Sequence, residues 1–296
     1  MINLLQGGTE GLIYGAAIAP VAVGFTLTFG VLDIANFAHG DFVTIGMYLS
    51  WWLFVTTKLD PLVSALLAIP LGFLLGWIVF SAGVERVQKS TRILQMVLTL
   101  GMLIVIENGL LFLFLGDLRG IYVPLASQVL RVGPIGIGKA AMENGLLGLG
   151  AVTLTWLLLH RTDFGLAIRA CAQSELGTRL VNLPVRRTQL VALSWSLGLA
   201  MFAGALLIQV QPVYPFAGLD FTLGAFLVAV VGGLGNIEGA VAGSLLYGLL
   251  GSVLSSVINP SVANIVTLVV LIAVLAVVPE GLQALVGPRR IAAGST

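Results

Sequence analysis

Residues 62–84 read LVSALLAIPLGFLLGWIVFSAGV, a run of 23 residues without a charged side chain. A hydrocarbon layer about 30 Å thick requires about 20 helical residues. This stretch is therefore long enough to cross a bilayer by itself. Its apolar residues are continuous and do not alternate with polar ones, which excludes the strand pattern of a membrane barrel. The stretch predicts a transmembrane helix.

The same pattern recurs along the whole chain. Further apolar runs fall at residues 11–31, 41–57, 95–115, 145–160, 189–209, 221–235, 240–257 and 263–278. The run 221–235 is short for a full crossing and is a candidate for a re-entrant segment. Because lipid cannot satisfy free backbone groups, such spans must be helical. We predict an all-α fold, a polytopic transmembrane helix bundle of about eight or nine spans that forms one domain over residues 1–296.

Overall composition supports a membrane environment. Hydrophobic residues make up 58% of the chain and charged residues only 9%, whereas soluble domains carry about 25% charged residues. The net charge of +1 gives no reason to expect a nucleic-acid partner. The first ten residues lack the basic start of a secretory signal, so the first run is expected to remain as a span. The expected surroundings are a lipid bilayer.

The positive charges are unevenly distributed. Three basic residues lie in 85–95, five lie in 160–189, and the tail adds Arg289 and Arg290. Segment 210–220 has none. Because short loops rich in Lys and Arg stay in the cytoplasm, nine spans place the N-terminus outside and the C-terminus inside. Segment 116–144, with three basic residues, is the exception on the predicted outer side.

A polar stretch, DIANFAHGD at residues 33–41, interrupts two apolar runs. Ionisable groups at membrane depth are costly unless they pair or line a cavity. We predict a broken helix near residues 33–41, with Asn36, His39 and Asp41 facing a substrate pathway. Asn36 and His39 are spaced to share a helix face. A solvated cytoplasmic turn is the alternative, and the sequence leaves both open.

A second polar pair, Glu107 and Asn108, lies inside the apolar run 95–115. A carboxyl group within a span favours a position facing the bundle or water. Both residues are therefore further candidates for the pathway. An interhelical structural hydrogen bond is the alternative, and Glu107 alone does not establish a proton relay.

Enzymatic motifs are missing from the sequence. The glycine-rich stretch 232–239 has neither a preceding strand nor the Lys-Ser/Thr pair of a phosphate-binding loop. Only two histidines and one cysteine are present, which is too few for a metal cluster. We expect no catalytic residues, no metal and no cofactor in this chain.

The segment 160–189 combines apolar and basic residues at helical spacing. Such a helix is suited to dock into a groove on a cytoplasmic partner. The alternative is a basic loop that rests on anionic lipid.

Several motifs together resemble one family. They are NFAHG at 36–40 followed by Gly46, TLG at 99–101 with Glu107-Asn108, GLAIRA at 165–170, and GGLG at 232–235 with Gly239. In order and spacing, these motifs resemble the branched-chain amino acid ABC permease family of the LivH type. The resemblance extends over about residues 11–281.

This resemblance implies a subunit of an ATP-driven importer in a bacterial or archaeal inner membrane. The implied partners are a second, homologous permease subunit, two ATP-binding cassette subunits that carry ATP and Mg, and an extracytoplasmic solute-binding protein. The implied substrate is a branched-chain or other amino acid, with urea or short amides as alternatives. Segment 160–189 becomes the cytoplasmic coupling loop, with Gly165, Arg169, Ala170, Glu175 and Arg179 as candidates for ATPase contact.

Two other functions are compatible with an apolar chain of this kind. An ion-gradient-driven secondary transporter would use Glu107 or Asp41 as a proton site, but it leaves the basic segment 160–189 without a task. A structural membrane subunit would have no transport path of its own.

Overall fold

The computed structural model describes residues 2–277, so Arg289 and Arg290 lie outside the described part. The helices are α1 Ile2–Leu32, α2 His39–Thr57, α3 Pro61–Val79, α4 Glu85–Val87, α5 Arg92–Phe114, α6 Lys139–Arg161, α7 Asp163–Gln173, α8 Glu175–Leu180, α9 Val185–Leu207, α10 Ala217–Gly232, α11 Ile237–Ser255 and α12 Pro260–Val277. A π-helical turn, Phe80–Val84, joins α3 to α4. The strands β1 Val129–Val132 and β2 Ile135–Gly138 form a short antiparallel hairpin.

Among residues 2–277, six helices are long and apolar enough to cross a membrane. They are Asn3–Leu32, Pro61–Val87, Arg92–Phe114, Lys139–Arg161, Val185–Leu207 and Ile237–Ser255. The apolar helix α10 is shorter, as is the apolar part of α12 at Val262–Val274. The prediction of a helical membrane bundle is confirmed at this level, and the small hairpin is the departure from an all-α fold.

Helices α1 and α9 form the centre of the bundle. Their apolar stretches are 89% and 83% buried, whereas those of the other four long helices are at most one-third buried. Helix α11 packs along α1 through glycines. A Cβ added to Gly11 would lie 2.5 Å from the Gly248 carbonyl oxygen, and one added to Gly15 would lie 2.5 Å from that of Ser244. The backbones approach closely because no side chain separates them.

The two basic segments, 85–95 and 160–189, lie at the same end of the bundle. An Arg92 nitrogen lies 3.1 Å from a carboxylate oxygen of Asp33, just after α1. Arg186, at the start of α9, donates to both oxygens of Glu85 at 2.6 and 2.7 Å. These ion pairs bring segment 85–92 to the ends of α1 and α9. We call this end the basic end.

The opposite end carries the hairpin. Gln6 near the start of α1 donates to the Gly136 carbonyl oxygen and accepts from its amide. Arg119 pairs with Val213 through backbone hydrogen bonds of 2.9 and 2.7 Å. The loops 115–138 and 208–216 therefore lie together with the N-terminus. We call this end the hairpin end.

Candidate functional site

The polar stretch 33–41 lies inside the bundle, apart from its first residue. Asn36 is 4% exposed, and His39 and Asp41 are fully buried. The Asn36 Oδ1 atom accepts the Ala38 amide at 3.1 Å and shapes the turn before α2. The alternative of a solvated turn is therefore wrong for these three residues. Only Asp33 is exposed, where it pairs with an arginine at the basic end.

The position of His39 shows how far the polar stretch 33–41 extends into the bundle. Its Nε2 atom lies 3.0 Å from the Val21 carbonyl oxygen of α1. A Cβ added to Gly24 would lie within 3.3 Å of both His39 and Ser196. Since Ser196 is the middle residue of α9, His39 lies level with the middle of that helix. Helix α2 therefore begins halfway along α9.

The backbone between α1 and α2 must run back into the bundle. Gly24 precedes the last residue of α1, Leu32, by eight residues, which corresponds to about 12 Å of helix. Residues 33–38 cover this distance without helical structure. Backbone groups of this stretch bond to side chains within the bundle, because the Ala35 carbonyl oxygen accepts from Thr99 and the Phe37 carbonyl oxygen accepts from Thr222.

Helices α2 and α10 meet where α2 begins. The Thr222 hydroxyl of α10 accepts the Gly40 amide at 2.8 Å and donates to the Phe37 carbonyl oxygen at 3.0 Å. A side chain at Gly40 would overlap the Gly218 carbonyl oxygen. One hydroxyl thus joins the two helices through backbone groups, and two glycines permit the contact. We call this contact the α2–α10 crossing.

The two helices at the crossing also begin with similar sequences. Residues 37–42 read FAHGDF, and residues 216–221 read FAGLDF. The first hexapeptide starts two residues before α2 and the second starts one residue before α10, and each places an aspartate, Asp41 or Asp220, in the first turn of its helix. Sequence reasoning missed this repeat, although the shared pattern F-A-x-x-D-F was the available signal.

Asp41 is an unpaired carboxyl group at the crossing. Neither carboxyl oxygen has a hydrogen-bond partner among the described residues. Glu107, 9% exposed, lies close enough to interact electrostatically with it. A buried polar group without a partner is costly and is retained at functional or strained positions. The structure therefore brings Asp41 and Glu107 to one region.

Asn108 is placed differently from its neighbour. It is exposed on the outside of α5, and its Nδ2 atom donates to the Ile104 carbonyl oxygen of the same helix. Glu107 faces the bundle because consecutive helical residues point about 100° apart. Asn108 is thus separate from the group around Asp41.

A second feature missed by sequence reasoning is a cavity at the hairpin end. It has a volume of about 640 Å³ and lies between α1, α6, α9, α10, α11 and α12, next to the hairpin. Tyr14, Tyr214, Tyr247 and Asp220 line it. It extends inward to Val21, whose carbonyl oxygen is bonded to His39. The cavity therefore reaches a residue that contacts the polar stretch, and we call it the hairpin-end cavity.

At the basic end, the predicted coupling segment forms α7 and α8. The Thr162 hydroxyl accepts the Gly165 amide at 3.1 Å and caps α7. A side chain at Gly165 would overlap the backbone of Leu159, so glycine lets α7 fold against the end of α6. Cys171 is buried on the inner face of α7, and burial raises the pKa of its thiol.

The outer face of α7 and α8 is both apolar and charged. Arg169 and Ala170 are half-buried, whereas Glu175 and Arg179 are exposed and form an ion pair. Large apolar side chains are also exposed here: Phe164, Leu166, Leu176, Leu180 and Val181. Leu180 is 80% exposed. Several large apolar side chains exposed on neighbouring short helices are typical of a protein interaction site.

Comparison with known proteins identifies the family. The family model for the permease component of branched-chain amino acid transport systems matches residues 9–275. The chain belongs to this family. Its members in the comparison are transporter subunits and not enzymes. Among the described residues, no group of three or more His, Cys, Asp or Glu is placed to hold a metal ion.

Several relatives cover most of this permease-family chain. The high-affinity branched-chain amino acid transport system permease protein BraD of Pseudomonas aeruginosa is 28% identical over 83% of this chain and 84% of its own length. LivH of Salmonella typhimurium has the same identity and coverage. A probable LivH of Methanocaldococcus jannaschii is 26% identical over 83% of this chain and 78% of its own. No solved structure matches the chain.

Proposed function

We propose that this chain is the permease subunit of an ATP-driven importer that moves amino acids, branched-chain ones first, across a bacterial or archaeal inner membrane. The observation that carries the proposal is the family match over residues 9–275. The relatives named above are permeases for branched-chain amino acids. Urea and short amides are the alternative substrates. An ion-driven secondary transporter is not favoured by the family.

The proposal includes eight or nine membrane segments. Helix α2 and the shorter α10 and α12 add to the six long apolar helices. We propose that residues 33–41 act as a broken helix, in which an extended segment and α2 together cross the membrane. The burial of His39 level with the middle of α9 supports this. The basic end would face the cytoplasm.

The substrate route is proposed to pass the α2–α10 crossing. Asn36, His39 and Asp41 are buried there, and Glu107 is close by. Transporters place substrates near the bilayer midplane, where interrupted helices expose backbone groups. Asn108 is proposed to face lipid or the second permease subunit, because it lies on the outside of α5.

Coupling to ATP hydrolysis is proposed to run through the outer face of α7 and α8. Its exposed apolar side chains and the cation of Arg169 suit a groove on a cytoplasmic ATP-binding cassette subunit. Two such subunits would bind the ATP and Mg, a homologous permease would complete the membrane part, and an extracytoplasmic binding protein would deliver the solute. The docked ATP-binding cassette subunit would then cover the exposed side chains of Leu176 and Leu180.

The test is purification of the tagged chain from its native membrane. We expect two ATPase subunits and a second permease to copurify, and the reconstituted complex to hydrolyse ATP faster when loaded binding protein is added. Uptake by the isolated chain, driven by an ion gradient alone, would contradict the proposal. The variant for comparison has Phe164, Leu176 and Leu180 changed to serine. It should insert into the membrane normally but should no longer copurify with the ATPase subunits.

A further inference from the structure

The composition of the hairpin-end cavity indicates the charge of its ligand. Within residues 2–277, its lining includes two acidic residues, Glu10 and Asp220, and no Lys, Arg or His. A concave site with acidic groups and no basic ones favours a cation over an anion. Its volume of about 640 Å³ is within the usual range for small-molecule sites.

We propose that the hairpin-end cavity binds the ammonium group of the transported solute, with Asp220 as its counter-charge. The choice of an amino acid as that solute rests on the proposed function. The assignment of a cation site rests on the cavity itself.

Asp220 is held in place for such a role. The Tyr214 hydroxyl donates to its Oδ2 atom at 2.8 Å. The Oδ1 atom has no partner among residues 2–277 and remains available. Asp220 also lies in the first turn of α10 and is exposed. The carboxylate is therefore oriented on one side and open on the other.

The second acid is already engaged. The Glu10 Oε1 atom accepts the Gln6 side-chain amide at 2.5 Å. Glu10 lies one helical turn before Tyr14, nearer the start of α1 and the hairpin. We assign it to the mouth of the cavity, where it attracts cations, and we assign the binding contact to Asp220.

Aromatic side chains line the cavity together with Asp220. Tyr14, Tyr214, Tyr247 and Phe221 all border the cavity, and all are half-buried. Aromatic faces attract ammonium groups through their quadrupole, most strongly when water is displaced. Four such rings beside one carboxylate make a favourable site for a cationic head group.

The inner wall suits an aliphatic tail. Ile13, Ile18, Val21 and Val228 line the cavity from α1 and α10. An ammonium group at Asp220 would leave the rest of the ligand against these side chains. A small aliphatic amine or amino acid therefore matches both parts of the cavity.

The cavity also has a direct link to the polar stretch. Val21 lines it, and the Val21 carbonyl oxygen is hydrogen-bonded to His39. Ala217 and Gly224, on either side of Thr222, line it as well. A ligand bound there would lie against α1 and α10, on the side of α10 away from Thr222.

The experiment measures ligand protection of a cysteine in the purified complex without binding protein. Ser252 lines the cavity, so Ser252→Cys in a Cys171→Ser background supplies a reporter for a maleimide. We expect 3-methylbutylamine to slow labelling. We expect 4-methylpentanoate, which has a carboxylate and no ammonium group, to have no effect. Equal protection by both compounds would overturn the proposal.

Asp220→Asn tests the counter-charge. It should require roughly tenfold more amine for the same protection, equivalent to about 1.4 kcal/mol of binding. The matched control is Asp117→Asn, which removes an exposed acid at the hairpin end that is outside the cavity lining. Unchanged protection in Asp220→Asn would refute the role of this residue. If Asp220→Asn does not fold, Tyr214→Phe keeps the ring and removes the orienting hydrogen bond, and it should weaken protection about threefold.

Protection by the amine and uptake driven by ATP test two different proposals. If the complex takes up amino acids but the amine gives no protection, the cavity assignment is wrong. If the amine protects but the complex takes up no amino acid with ATP, the cation site stands and the importer proposal is wrong.

Discussion

Thr222 provides the sharpest test of the α2–α10 crossing, because one hydroxyl serves two backbone groups of the polar stretch. It accepts the Gly40 amide at 2.8 Å and donates to the Phe37 carbonyl oxygen at 3.0 Å. Thr222 is 2% exposed, so water cannot replace it. Thr222→Val removes the hydroxyl and preserves the shape of the side chain.

The expected cost follows from the groups left unpaired. Each buried backbone group without a partner costs about 1–3 kcal/mol, so Thr222→Val should destabilise the crossing by about 2–6 kcal/mol. Because valine has the same shape, no cavity contributes to this cost. We expect the melting temperature of the purified complex in detergent to fall by several degrees, and uptake per assembled complex to fall with it.

Two controls make the measurement specific. Thr222→Ser keeps the hydroxyl and should retain most of the stability. Thr153→Val removes a hydroxyl that is exposed and bonds only to the Leu149 carbonyl oxygen of its own helix, so it should change stability by less than about 0.5 kcal/mol. If Thr222→Val and Thr153→Val behave alike, the hydroxyl does not hold α2 against α10.

Three further predictions concern the pathway, the coupling surface and the orientation. His39→Ala should lower uptake more than it lowers the amount of assembled complex, and a wild-type rate per complex would remove His39 from the pathway. Arg169→Glu should impair ATPase stimulation while membrane insertion is unchanged. The change reverses any charge-assisted contact of Arg169, which is worth about 1.5–3 kcal/mol. Normal stimulation would exclude a contact between Arg169 and the ATPase subunits. Single cysteines at Pro212 and Ser174, in a chain whose Cys171 is replaced, should label from opposite sides of the membrane, and labelling from one side would overturn the orientation.

The helices were predictable because continuous apolar runs have few alternatives. The charge-free run 62–84 corresponds to the observed helical segment Pro61–Val87. The polar residues of 33–41 indicated a break between two apolar runs, and residues 33–38 lie outside α1 and α2, whereas the broken helix itself stays a prediction. The depth of these residues was not predictable, because it depends on contacts with Val21 and Ser196 that lie far away in sequence.

The faces of the helices were harder to predict than the helices. Helix α5 is apolar around most of its circumference, so its sequence does not show that Glu107 faces the bundle and Asn108 faces outward. The hairpin-end cavity is lined by six helices that are spread along the whole described chain. No local pattern specifies such an assembly. The F-A-x-x-D-F repeat was the one readable signal for the relation between α2 and α10.

If this chain carries substrate across a membrane at the expense of ATP hydrolysed by its partners, transport must depend on ATP. The decisive experiment measures uptake of radiolabelled leucine into vesicles that contain the copurified complex, with saturating binding protein outside. We expect uptake that requires ATP and Mg within the vesicles and that persists when ionophores remove every ion gradient. Uptake without ATP that ionophores abolish would contradict this expectation.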